Sequence, residues 1–114
     1  MKREPGEPFS RLSTDEAQQM LGKDQIVLVD VRGKEDYMKG HIPGARSIEL
    51  EQVYSRIREL SGAPALLFVC YRGMTSALAC EVAAAAGHEE VYNLEGGMDG
   101  WLSRKLPVKA GPSP

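Results

Sequence analysis

"APALLFVCYRGMTSALACEVAAAAGH", residues 63–88, decides how this chain folds. Its first part is a continuous apolar run with no polar alternation, the pattern of a strand covered on both faces. From Thr75 onward it is rich in alanine and ends at Gly87, which predicts a helix closed by a glycine. Cys70 stands at the end of the apolar run, and Tyr71, Arg72, Gly73 and Met74 carry the chain into the helix.

The flanking segments repeat the alternation of buried strand and helix. "QIVLVDV" (25–31) is another apolar, β-branched run, and "EVYNL" (90–94) reads as a further strand. Between the first two, "LEQVYSRIREL" (50–60) places Leu50, Val53, Ile57 and Leu60 on one face and predicts one amphipathic helix stopped by Gly62. Near the start, "STDE" puts Ser13 and Glu16 in a capping-box relation, predicting a short helix ended by Gly22. "GGMDGWLSRKL" (96–106) predicts a turn and a last helix whose Trp101 packs into the core. Together these elements specify an α/β domain with a mostly parallel central sheet flanked by helices on both faces. The proline- and charge-bearing ends, 1–8 and 108–114, are expected to be flexible tails around a domain spanning 9–107.

At 114 residues the chain suits one domain with a real core. A net charge of -2, with both signs mixed along the chain, supplies no basic stripe for nucleic acid. No apolar run is long enough to span a bilayer, and "MKREPGEPFS" lacks the apolar core of a secretory signal, so a cytoplasmic protein without membrane or nucleic-acid partners is expected. The two cysteines form no CxxC pair and are expected to be free thiols. Nothing in the spacing of Cys70, Cys80, His41 and His88 resembles a zinc-ligand pair, and no metal or cofactor is expected.

In an open parallel sheet, ligands bind at the carboxyl ends of the strands, where Cys70 stands. Gly73 permits a left-handed turn there. Backbone N–H groups curled at a helix N-terminus form an anion nest, and a thiol placed in one loses its proton more readily. Arg72 would add a cation if turned inward. The hydroxyls of Thr75 and Ser76 would either cap the helix or donate to the sulfur. The plainer reading of a cysteine ending an apolar strand is inert packing, which accounts for neither the glycine nor the hydroxyls. Cys80, inside the alanine-rich helix, reads as packing.

Four motifs, "VDVR" (29–32), "GHIPGA" (40–45), "CYRGMTS" (70–76) and "LEGGMDGW" (94–101), resemble in order and spacing those of the rhodanese domain, over about residues 10–107. The resemblance implies a sulfurtransferase. Cys70 would take the outer sulfur of thiosulfate or a related donor as a persulfide and pass it to a thiol, to cyanide, or to a protein acceptor. The loop from Tyr71 through Arg72, Gly73, Met74 and Thr75 to Ser76 would bind the transferred group. The family also implies structural roles for Asp30 and Arg32, whose plainer reading is a surface ion pair. His41 likewise reads as structural, because a thiolate already formed needs no base. Gly96 and Gly97 are expected to let the backbone approach the active loop. Related phosphatases and arsenate reductases of this fold use a cysteine, five residues and an arginine; the sixth residue after Cys70 is Ser76, which disfavours them. A binding or regulatory module without turnover is the other alternative, and the intact cysteine loop weighs against it.

Overall fold

The structure, a computed structural model, describes residues 1–23 and 25–114. Its sheet has five strands: β1 (Ser10–Leu12), β2 (Ile26–Asp30), β3 (Arg46–Ser47), β4 (Ala65–Val69) and β5 (Val91–Leu94). All pair in parallel in the order β1-β5-β4-β2-β3, so β4 is central. From β2 the chain moves outward to β3, returns to β4, and then builds the other half through β5. The carboxyl end of β4 therefore lies where the winding reverses, the usual ligand crevice of open α/β sheets.

Among the described residues five α-helices accompany the strands: α1 (Thr14–Lys23), α2 (Lys34–Lys39), α3 (Leu50–Val53), α4 (Thr75–Ala85) and α5 (Gly97–Ser103). The two faces of the sheet carry separate cores. Val29, Leu66, Phe68 and Cys70 point one way and pack with Val53, Ala79, Cys80 and Ala83. Leu28, Leu67, Val69 and Leu94 point the other way and pack with Ala17, Tyr37, Met98 and Trp101. Alternation along each strand feeds both cores, which is why the strands read as unbroken apolar runs.

The capping box at the start of α1 is present: the Glu16 amide donates to Ser13 Oγ at 3.1 Å and the Ser13 amide to Glu16 Oε1 at 2.9 Å. Gly22 does not end this helix, which continues through Lys23. The single helix expected over 50–60 is also not formed. α3 stops after one turn, and a 3₁₀ turn (Ile57–Leu60) follows. Ser55 Oγ donates to the Gln52 carbonyl at 3.1 Å, a local bond of the kind that competes with helix propagation. Val53 and Leu60 still reach one core, with Leu50 and Ile57 packed against it, so the apolar spacing served burial without helical continuity.

The Asp30–Arg32 pair is buried rather than superficial. Asp30 is 0% and Arg32 7% exposed. Arg32 Nη2 donates to Asp30 Oδ2 at 2.8 Å and to the Gly40 carbonyl at 2.8 Å, and Arg32 Nε donates to Asp30 Oδ1 at 3.0 Å. His41 is fully buried, stacked on Tyr37 with ring centroids 3.7 Å apart. Its two ring nitrogens face the Tyr37 and Ser113 carbonyls, each at 2.8 Å. The chain ends make defined contacts too. Lys2 and Arg11 exchange backbone hydrogen bonds, as do His41 and Lys109, and Trp101 Nε1 donates to the Pro107 carbonyl at 2.8 Å.

Asp30→Ala is expected to cost about 3–5 kcal/mol, because it strands a buried guanidinium. Urea denaturation would measure it, and adding Arg32→Met should recover part of the loss.

Candidate active site

Cys70 is the first residue beyond β4 and is 2% exposed. Its sulfur lies inside the turn that opens α4. The Gly73 amide donates to Sγ at 3.1 Å, and the Ser76 hydroxyl lies 3.1 Å from Sγ. Burial by itself pushes the thiol up, but hydrogen bonds from the Ser76 and Thr75 hydroxyls and from the Ser76 and Arg72 amides outweigh it. The result is a Cys70 thiol held below its ordinary value. Cys80 has the opposite fate: burial pushes its thiol far up, and its sulfur donates to the Tyr92 carbonyl at 3.4 Å.

The cradle keeps its shape because the turn after β5 is pressed against it. The Met98 amide donates to the Cys70 carbonyl at 2.8 Å and the Asp99 amide to the Tyr71 carbonyl at 3.0 Å. A Cβ on Gly97 would stand 2.3 Å from the Tyr71 carbonyl oxygen, and one on Gly73 would stand 2.3 Å from that of Glu95. Both glycines have positive φ, +59° and +82°. Only glycine satisfies the close approach and the left-handed backbone together. Gly96 makes no such approach, since its Cβ would meet only ordinary contacts, so the expectation holds for Gly97 alone.

The loop residues divide between sulfur and surface. Gly73 and Ser76 are buried against the sulfur, whereas Tyr71, Arg72, Met74 and Thr75 are exposed along the rim. Arg72 does not turn inward. Its Nε donates to Asp99 Oδ2 at 2.8 Å, and its side chain remains mostly exposed. The Asp99 carboxylate offers this guanidinium a partner without the cost of burial, so Arg72 contributes its amide to the sulfur and not its charge. The Tyr71 hydroxyl donates to the Asp36 carboxylate, and Arg32 lies 5.7 Å from the centre of the Tyr71 ring. Met74 occupies the N-cap of α4 with no side-chain cap, leaving Thr75 and Ser76 free to serve the sulfur.

Asn93 escaped the sequence reading. It lies in β5 opposite Phe68 of β4 and is fully buried. Its Nδ2 donates to the Gly73 carbonyl at 2.8 Å, and its Oδ1 accepts from the Ser76 hydroxyl at 2.5 Å. The available signal was a lone amide within an otherwise apolar buried strand, since such a group must have a partner.

The sequence pattern of the rhodanese-like domain matches residues 13–104. This chain belongs to the rhodanese-like family. It is 30% identical over 93 residues to thiosulfate sulfurtransferase GlpE of Pseudoalteromonas translucida, covering 82% of this chain and 89% of that one. The fold is similar to that of a thiosulfate sulfurtransferase from Pseudomonas aeruginosa, with a TM-score of 0.82 and 24% identity. That match covers 90% of this chain but only 20% of the longer protein. It is also similar to a Rhodopseudomonas palustris protein described as a possible tyrosine phosphatase, with a TM-score of 0.80 and 26% identity over 89% of this chain and 85% of that one. Among the described residues no helix is long and apolar enough to cross a membrane.

Within this rhodanese-like domain the two thiols should separate chemically. Iodoacetamide at neutral pH is expected to modify Cys70 and spare Cys80, as peptide mass mapping would reveal. Gly97→Ala is expected to lower stability by about 2 kcal/mol or more and to slow Cys70 alkylation, because the turn after β5 must retreat from the cradle.

Proposed function

We propose that the protein is a single-domain sulfurtransferase that carries a sulfane sulfur on Cys70. The observation that carries this reading is the Cys70 sulfur held in a ring of amide and hydroxyl donors at the start of α4, with its thiol lowered despite burial. The curated relative named a thiosulfate sulfurtransferase supports it.

In the proposed reaction the Cys70 thiolate attacks the outer sulfur of thiosulfate or a related donor. A new bond forms between that sulfur and Sγ. The bond within the donor breaks and its electron pair leaves with sulfite, so the negative charge passes to the outer sulfur of a Cys70 persulfide. The acceptor, a thiol or cyanide, then attacks that outer sulfur, and the electron pair returns to Sγ. Charge-assisted hydrogen bonds contribute about 1.5–3 kcal/mol each, so several amides aimed at one sulfur offset the burial of an anion. No cofactor enters this scheme. The reduced thiol that it requires suits a cytoplasmic setting.

The phosphatase reading fares worse on physical grounds. Phosphate chemistry in this fold wants a guanidinium fork over the loop. Ser76 takes the sixth place after the cysteine and serves the sulfur, and Arg72 is engaged with Asp99. A non-catalytic module would have no use for a lowered thiol.

Incubation with thiosulfate is expected to add one sulfur atom by intact mass, and cyanide should then release thiocyanate. Cys70→Ala should abolish both signals and Cys80→Ala should retain them. Failure of the wild type to gain sulfur from any sulfane donor, or cleavage of an aryl phosphate in its place, would defeat the sulfurtransferase reading.

A further inference from the structure

The Ser76 hydroxyl has one proton and two buried neighbours that can accept it. On one side stands Cys70 Sγ at 3.1 Å, on the other Asn93 Oδ1 at 2.5 Å. The Asn93 amide cannot reverse. Its Nδ2 is committed to the Gly73 carbonyl at 2.8 Å, and turning it over would set two acceptors against each other. Ser76 and Asn93 are both 0% exposed, so neither has bulk water as a substitute partner.

We propose that Asn93 is a positioning residue that competes with the Cys70 sulfur for the single proton of the Ser76 hydroxyl. When Cys70 is a thiol, its S–H donates to Ser76 Oγ, and Ser76 donates to Asn93. When Cys70 is a thiolate, Ser76 turns its proton to the sulfur, and the buried Asn93 carbonyl gives up its donor. Asn93 thus opposes the thiolate and keeps Ser76 from serving it unconditionally. If the sulfurtransferase reading holds, on which only this step rests, the cycle resets the hydroxyl. With a second sulfur attached, Sγ carries neither proton nor full charge, and Ser76 returns to Asn93; when the acceptor removes that sulfur and the electron pair comes back to Sγ, Ser76 swings to meet it.

Other groups facing the sulfur do not remove the competition. The Arg72, Gly73 and Ser76 amides and the Thr75 hydroxyl donate whichever way Ser76 points. Cys80, whose thiol burial pushes up, remains neutral. The Arg72 guanidinium is held by Asp99 and that of Arg32 by Asp30.

The test needs no sulfur donor, so it is independent of the function proposed above. The rate of Cys70 alkylation by iodoacetamide is measured against pH in the full chain. Asn93→Leu frees the Ser76 proton for the sulfur and is expected to speed alkylation roughly fivefold at about pH 6. Ser76→Ala is expected to slow it by a similar factor, and the double variant should behave as Ser76→Ala does. A residue that merely braces the loop predicts the opposite sign for Asn93→Leu, since a loosened cradle disfavours the thiolate; a slower or unchanged rate overturns the proposal. Should Asn93→Leu fail to fold, Asn93→Val replaces it. This smaller apolar residue likewise removes the competing carbonyl and should speed alkylation with Ser76 present but not in Ser76→Ala. An equal change in both backgrounds overturns the proposal.

Discussion

The site depends on one backbone-to-backbone contact, that of the turn after β5 against the loop after β4. Two amides of α5 hold the Cys70 and Tyr71 carbonyls, and Gly97 lies so close to Tyr71 that no side chain fits between. Carbonyls tied outward in this way leave the loop's amides directed toward the sulfur. The parallel pairing of β4 with β5 sets the register of the contact. The same pairing brings Asn93 under Gly73 and Ser76, so sheet, turn and cradle form one connected assembly.

Electrostatics around the loop follow from how its cations are paired. Asp30 engages Arg32 beneath the rim, and Asp99 engages Arg72 outside it. Neither guanidinium is left to face the sulfur. The field that lowers the Cys70 thiol comes instead from peptide dipoles, fixed in place before charge appears, and from two hydroxyls.

Much of this architecture was legible in the sequence, and the exceptions have physical causes. β2, β4 and β5 stood out because both faces of each are buried, and α4 because alanine and its closing glycine mark it. β1, β3 and α2 contain three, two and six residues, too few to display a period. The break at Ser55 was hidden because burial preserved the apolar spacing that a helix would have produced. Cys70, Gly73, Thr75 and Ser76 were identifiable from their order along the chain. The orientation of Arg72 was not, because its carboxylate partner lies 27 residues away. Asn93 shows in the sequence only as a lone amide in a buried strand; what it bonds does not, because Gly73 and Ser76 lie 20 and 17 residues before it.

The division of the loop into inward and outward residues bears on how such a protein can change over evolutionary time. The inward contributions are largely peptide groups, which every residue other than proline supplies alike. Tyr71, Arg72 and Met74 form an outer rim in which size and charge can vary while the sulfur keeps its amides and the Thr75 and Ser76 hydroxyls. Under the proposed function, chemistry and recognition then sit on opposite sides of the same few residues. New specificities can be selected on the outside without rebuilding the reactive centre.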